Sequence, residues 1–481
     1  MKFKTVGRSG MIKVICTIFL LLVSVFKTSA QDSLSLEECI SYAWQNNTQI
    51  QRNALQVEQA GYNVTQNKAS YIPSLNGSAT NIYNFGRTID PTTNQFSNQR
   101  IRTNYLSLNS DVLLFNSGQT HYMVKSAQEN ENVFLYNLAI TKQDVALNVA
   151  NFFLQVLMLE EREMQVRNQL INSKSAATHS RTLVKAGAAA PSRELEAIAQ
   201  VAGDSALLID IQTQVLQAYL NLKQFMNYDP LKPLVLKKIT GTDVITQYTD
   251  ADLQRALAQV PERPEVQSAN SQIIRAEYDW KAARSNRFPK LYGSASLNTG
   301  YSSGARNIDG YVLQGYEPVG ALANDTTQVV IAPFYLPLLI STPFGDQINN
   351  NFGQSVGLRL SVPIFNGFQN AYIIQVNDIG IRNAELTKTD AENAVKNDII
   401  QSFEGMKRAK LNYDAQIARL RAQEALFQNV NISYAQGAAG YFEWYTASNN
   451  LSIAQSEMLQ AKYTYIFQTK VFETYLNPPQ F

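Results

Sequence analysis

Apolar residues repeat every seven positions along two long stretches of the chain. In the first, from about Gly118 to Gly187, Leu138, Val145, Phe152, Leu159 and Val166 lie seven apart, and Val149, Val156 and Leu170 follow three of them by four. That spacing is a coiled-coil seam. One helix of roughly 70 residues would extend about 105 Å at 1.5 Å per residue, too long to wall an ordinary globular core. Residues 367–437 carry the same design in Ile399, Met406, Tyr413, Leu420 and Phe427, with Val395, Phe403 and Ile417 beside them. Adding 250 carries Val149 onto Ile399, Val156 onto Met406 and Leu170 onto Leu420. Two seams in one register mean a duplicated chain.

Between and before these stretches the period changes to two. Leu75, Gly77, Ala79, Tyr83 and Phe85 oppose Asn76, Ser78, Thr80 and Asn84, which predicts a strand over about 75–85. A second strand, about 104–115, sets Leu106 and Leu108 against Ser107 and Asn109. The second copy repeats both. Leu291, Gly293, Ala295, Leu297 and Tyr301 alternate over about 291–301, and Val356, Leu358, Leu360 and Val362 over about 355–365. KASYIPSLNGSA (Lys68 to Ala79) aligns with RSNRFPKLYGSA (Arg284 to Ala295), and VLLFNSGQTHY (Val112 to Tyr122) with VPIFNGFQNAY (Val362 to Tyr372).

The remaining segments are shorter helices and turns. Leu34 to about Ser70 is a first helix, opened by Ser35 and Glu38 as a capping box. KAGAAAP (Lys185 to Pro191) turns the first long helix into a return helix to about Asn227, with Gly187 as its left-handed end and Pro191 at the next helix start. Residues 228–250, with Pro230, Pro233 and Gly241, form a linker without period. A helix from about Ala251 to Arg287 follows, interrupted by Pro261 and Pro264. AQGAAG (Ala435 to Gly440) turns the second long helix into a last one, about Tyr441 to Leu476. Residues 302–352 are expected to form a loop 34 residues longer than its counterpart, with VVIAPFYLPLLI (Val329 to Ile340) too short and too proline-broken to span a membrane as a helix. The division is therefore a first repeat over 31–227, the linker, and a second repeat over 251–481.

Composition changes the compartment. Lys2, Lys4, Arg8 and Lys13 precede an apolar run from Val14 to Phe26, and Thr28, Ser29 and Ala30 close it. Residues 1–30 are expected to be a secretory signal peptide. Without its five basic residues the 41 basic and 39 acidic residues become 36 and 39, a charge of about −3. Nothing here favours nucleic acid. Cys16 falls in the leader, so Cys39 alone can form no internal disulfide. His121 and His179, 58 residues apart on one helix, cannot build a metal site with it. No nucleotide-binding loop or nucleophile elbow occurs, and neither a cofactor nor an enzyme activity is expected.

Each copy reads helix, strand, strand, long helix, helix: an α+β chain whose strands have the length and alternation of outer-membrane barrel strands. A small sandwich capping a helical bundle is the alternative. A membrane forbids exposed strand edges, so closure requires several chains to pool strands, eight from two or twelve from three. Twelve leaves an aqueous lumen, whereas eight is filled by side chains.

In this order, the strand-to-helix turns LLFNSGQ and PIFNGFQ, the stretch GRTIDPTTNQF (Gly86 to Phe96) and the turns GAAAPSRELEA (Gly187) and GAAGYFEWYTA (Gly437) make the chain resemble the TolC-type outer-membrane efflux proteins over essentially its whole mature length. The resemblance implies a homotrimer, a twelve-stranded β-barrel in outer-membrane lipid continued by a periplasmic α-helical coiled-coil barrel, in a Gram-negative-type envelope. It implies a passive duct that works with a periplasmic adaptor (membrane fusion protein) and an inner-membrane transporter of resistance-nodulation-division or ABC type, exporting small molecules. An exit duct for type I protein secretion shares this architecture, and a non-conducting periplasmic scaffold is the alternative from another class.

The resemblance also implies where a gate lies. The family's turn tyrosine matches Tyr434 and its first acid matches Glu443, while its arginine position holds Ala439, its second acid position Thr446, and the acid expected after Gly187 is Arg193, beside Glu194. The family's full locking network is thus absent. In its place, three copies of Glu443 are expected to form an acidic ring that attracts cations, with Arg193 as its partner in the closed state. The small residues Gly187, Ala188, Ala189, Ala190, Gly437, Ala438, Ala439 and Gly440 are expected to receive the adaptor. Tyr441, Phe442, Trp444 and Tyr445 either anchor it or pack between helices.

Overall fold

The computed structural model describes residues 33–89, 94, 96–97, 100–238 and 248–477. The expected leader, five positions of GRTIDPTTNQF after Ile89 and residues 239–247 of the linker lie outside them. The helices are α1 (Leu36–Asn46), α2 (Thr48–Ala69), α3 (Gln119–Lys185), α4 (Pro191–Met226), α5 (Asp250–Ala258), α6 (Pro264–Ser285), α7 (Phe344–Asn350), α8 (Gln369–Ala435) and α9 (Tyr441–Leu476). The strands are β1 (Asn76–Asn84), β2 (Ile101–Phe115), β3 (Lys290–Ser302), β4 (Arg306–Leu322), β5 (Asp325–Ser341) and β6 (Gly353–Ser361), besides a two-residue pair at Thr88–Ile89 and Phe96–Ser97.

The copies match in length. Both α3 and α8 have 67 residues, and α4 and α9 each have 36. Contacts divide the chain into two compact units that each draw on both copies. One takes the described residues up to Glu58, Val133–Ala269 and everything from Thr387; the other takes Gln59–Asn132 and Asn270–Leu386.

In the first unit the seams are buried over most of α3 and over Val395 to Met406 of α8, while Leu138, Phe152, Tyr413, Ile417, Leu420 and Phe427 are half-buried. Val145, Val149, Phe153 and Val156 of α3 form one core with Leu222 and Met226 of α4. Ile399, Phe403 and Met406 of α8 form another with Phe472 and Leu476 of α9, positions 250 later in the chain for each equivalent pair. Two expectations change here. The first helix is broken at Asn47, whose backbone is extended (φ −65°, ψ 127°). Its side chain donates to Phe225 O at 2.8 Å and accepts from Gln49 N–H at 2.9 Å, so one Asn ends α1, starts α2 and ties both to α4. The linker is also not free of the core. Leu234 and Leu236 are buried in it, and Leu34 N–H donates to Val235 O at 2.9 Å.

In the second unit β1, β2, β3 and β6 form one antiparallel sheet in that order. The register places Ala295 opposite Val356, Leu108 opposite Leu297 and Gly293 opposite Leu358 on one face. The other face carries Asn109, Ser296 and Ser355 in a row, and Ser78 Oγ lies 2.7 Å from Ser107 Oγ. One side is apolar and the other a polar ladder. The outer strands β1 and β6 each have one neighbour within the chain. The last strand stops at Ser361 rather than near 365, since Pro363 has no N–H for the ladder. Both strand-to-helix turns use two consecutive left-handed residues, Ser117–Gly118 (φ 57° and 83°) and Gly367–Phe368 (φ 63° and 64°).

The expected loop 302–352 is ordered structure: a hairpin of β4 and β5, 17 residues each, followed by α7. Gln347, buried at the hairpin's root, accepts from Ser302 N–H at 2.8 Å and donates to Ser302 O at 3.0 Å and Thr342 O at 2.8 Å.

Candidate functional site

The two helix turns are built alike. Gly187 (φ +70°) and Gly437 (φ +77°) end α3 and α8 in the left-handed region, and a Cβ at either would meet nothing within 4 Å, so conformation rather than space demands glycine. Gly187 N–H donates to Val184 O at 3.0 Å and Ala188 N–H to Leu183 O at 2.9 Å; Gly437 and Ala438 repeat this to Tyr434 O at 3.1 Å and Ser433 O at 2.8 Å. These paired bonds satisfy the last carbonyls of each long helix. Pro191 then fills the first position of α4, where its missing N–H costs nothing.

Each turn is closed by a side-chain pair at equivalent positions. Arg181 Nε donates to Glu194 Oε1 at 2.7 Å across the first, and Trp444 Nε1 donates to Asn431 Oδ1 at 2.9 Å across the second. Glu194, expected at the gate, is thus held by Arg181 of its own turn.

Tyr434 is the centre of the aromatic packing. It is buried, with Trp444 stacked at 5.5 Å, Tyr441 at 6.4 Å and His179 edge-on at 5.8 Å between ring centres. Its hydroxyl lies 3.4 Å from Ser180 Oγ. The guanidinium carbon of Arg193 sits 5.0 Å above the same ring. Burial pushes the Tyr441 hydroxyl up to about 12, with the neighbouring Tyr434 and the carboxylate of Asp204 adding to the shift. It therefore stays protonated and uncharged in this apolar cluster.

The expected residues separate into two groups. Tyr434, Tyr441, Trp444 and Ala439 are buried together with Ala176, Ala197 and Val430. Glu443 and Thr446 are exposed, and Thr446 Oγ donates to Phe442 O at 2.8 Å within its own helix. Among the described residues the cation of Arg193 is stacked on Tyr434, and it forms no ion pair with Glu443 within the chain. Of the turn residues, Gly187, Ala188, Gly437, Ala438, Ala190 and Gly440 are exposed, Ala189 is half-buried and Ala439 buried. Phe442 is exposed while its three aromatic neighbours pack inward. His179, Ser180, Arg181 and Asn431 are the contributors that the sequence reading missed. Residues at nearly equal distances on either side of a turn face each other in an antiparallel helix pair, and Arg181 with Glu194 and Asn431 with Trp444, six before and seven after Gly187 and Gly437, fit that rule.

No helix among the described residues is long and apolar enough to cross a membrane, and among them no three His, Cys, Asp or Glu are grouped to hold a metal ion.

Comparison with known proteins agrees with the fold. The sequence pattern of the family described as outer membrane efflux protein matches residues 39–228 and 253–469. The pyoverdine export outer membrane protein OpmQ of Pseudomonas aeruginosa is 28% identical over 200 residues, a match covering 42% of this chain and 41% of OpmQ, so the chain spans about two fifths of that relative's length. Among solved structures, CusC, described for its folding and transmembrane channel formation, superposes with a TM-score of 0.71 at 15% identity over 92% of this chain and 91% of its own. The outer membrane protein VceC of Vibrio cholerae does so at 0.69 and 12%, over 92% and 95%.

Proposed function

Because the chain belongs to the outer membrane efflux protein family, we propose that it is the trimeric exit duct of a tripartite export system. It resides in the outer membrane with a periplasmic part and has the fold of this family's channels. The single observation that carries the trimeric duct is the four-stranded antiparallel sheet with one polar face, one apolar face and two open edges. In lipid an open edge leaves backbone N–H and C=O groups unsatisfied at several kcal/mol each. Three copies joined edge to edge give twelve strands with a polar interior wide enough for water. The small-residue turns at Gly187 and Gly437 are the surfaces we assign to a periplasmic adaptor, whose inner-membrane transporter selects the cargo. Small molecules are the cargo class we propose, and export by OpmQ supports outward transport as the activity. No catalytic step is assigned to the chain.

Glu443 is our candidate for the ring that a cation meets at the closed end, being the exposed acid in the first turn of α9. Reconstitution of the detergent-purified protein into planar bilayers tests the duct: it should give discrete conductance steps with cation preference. A protein that remains in solution without detergent and never conducts would refute this function.

A further inference from the structure

The β4–β5 hairpin repeats on itself. Gly310, Gly315 and Gly320 stand five apart on β4, and the ladder skips one β4 residue before each of them, at Asp309, Gln314 and Val319. Five residues of β4 therefore run against four of β5, a bulge at every repeat, which coils the ribbon and leaves its β4 edge irregular. On β5, Pro333 and Pro337 keep the ladder only if their nitrogens face away from β4, so that edge is closed to further strands as well. Neither edge suits strand addition, which leaves the faces.

Those faces differ in relief and share a period. Tyr311 lies opposite Pro337 and Tyr316 opposite Pro333, on one face. Gly310, Gly315 and Gly320 lie opposite Leu338, Phe334 and Val330, on the other. The tyrosines stand proud, 65% and 61% exposed. A Cβ added at any of the three glycines would meet nothing within 4 Å, so the second face carries open hollows at the same five-residue step as the ridges on the first. Only Arg306, Asp309, Glu317 and Asp325 are charged between residues 306 and 341. Strands of 17 residues extend roughly 55 Å at 3.3 Å per residue. An apolar ribbon of that length far exceeds the few hundred Å² that soluble surfaces leave bare, and a two-stranded hairpin does not hold itself in water.

We infer that the occupant is a second copy of the same ribbon: the tyrosine ridge of one hairpin seats in the glycine hollows of the next, round the three chains of the trimer. A contact between two different faces closes into a ring when the rotation allows it, and a three-fold axis supplies that rotation. Such an axis also keeps equivalent residues at one height, so Tyr311 meets the level of Gly310 and Leu338 on its neighbour. The Gln347 hydrogen bonds at the root fix the level from which each ribbon starts. This inference rests on the trimeric reading above.

Cysteine cross-linking of the full-length protein in detergent tests it, with the number of chains per particle measured by mass on the same sample. Cys39 is fully buried and silent under native conditions. Tyr311→Cys with Leu338→Cys puts thiols on opposite faces at one level, where they cannot bridge within a chain. The double variant should run as covalent trimers after mild oxidation, and each single variant as monomer. A three-chain particle whose double variant stays monomeric would overturn the ribbon packing and leave the duct intact, as would ridge-to-ridge dimers from Tyr311→Cys alone. A particle of any other size would overturn the trimeric reading and the packing with it.

Discussion

Trp444 Nε1 donates to Asn431 Oδ1 across the second helix turn, and at the equivalent positions of the first, with donor and acceptor exchanged, Arg181 donates to Glu194. The two copies thus keep one clamp and change its chemistry, from a partly exposed ion pair to a half-buried bond from an indole of the aromatic cluster to an exposed amide. A surface pair is worth about 0.2–1 kcal/mol, whereas removing the exposed Asn431 takes the acceptor from the indole N–H of Trp444, itself buried, at about 1–3 kcal/mol. Asn431→Ala should therefore loosen its turn more than Glu194→Ala loosens the other. Limited proteolysis at the two turns checks this, with the larger gain in cleavage expected near Gly437.

Tyr434 receives the Arg193 cation and three rings at once. Tyr434→Ala should raise the open fraction of the reconstituted channel several-fold, since a cation–π contact alone supplies about 0.5–2 kcal/mol. Tyr434→Phe keeps the ring and loses only the Ser180 contact, so it should remain close to the parent. Equal single-channel open fractions for the parent and Tyr434→Ala would remove Tyr434 from the gate.

Glu443 makes a separable prediction because it is exposed and packs no core. Glu443→Gln should leave thermal stability unchanged within about 0.5 kcal/mol, as surface substitutions do, and should lower cation selectivity measured as reversal potential in a salt gradient. Unchanged selectivity would mean that the acidic ring is not there.

The helix sequences announced their partners because a heptad has few alternatives. Val145, Val149, Ile399 and Phe403 are all buried where their spacing put them. The β4–β5 hairpin stayed hidden for a physical reason: alternation is the signal of a strand, and a bulge before Gly310, Gly315 and Gly320 resets it every five residues. Pro333 and Pro337 argued against a strand until an outward-facing nitrogen made them compatible with one. Asn47 was equally silent, being one polar residue among several whose capping bonds exist only once α4 is in place. At the site, Tyr434 and Glu443 came from resemblance. Arg181 and Asn431 needed only the geometry of an antiparallel helix pair.

Cys39 gives a pH test of the helical core. Burial, then the carboxylates of Glu38 and Glu37, push its thiol from the ordinary 9.0 up to about 12. The folded chain thus holds a proton that the unfolded chain releases. Its contribution to stability is complete below pH 9.0 and is lost as pH rises toward about 12. Alkylation at pH 8 should be negligible in the native protein and rapid after denaturation, read by mass; fast native labelling would place Cys39 outside the core.

Left-handed Phe368 offers a stabilising change. Gly118 occupies the equivalent position of the first copy at φ 83°, while Phe368 holds φ 64° with its ring exposed. Phe368→Gly should relieve about 1 kcal/mol of backbone strain and raise the midpoint of thermal unfolding. A lowered midpoint would show that the ring's contact with Phe365 outweighs the strain.

The central claim is that one chain supplies four strands of a closed twelve-stranded wall. Counting the chains in the detergent-purified particle by native mass tests it most directly. The account predicts three; a stable particle of one or two chains, with four or eight strands and no room for a water-filled bore, would contradict it.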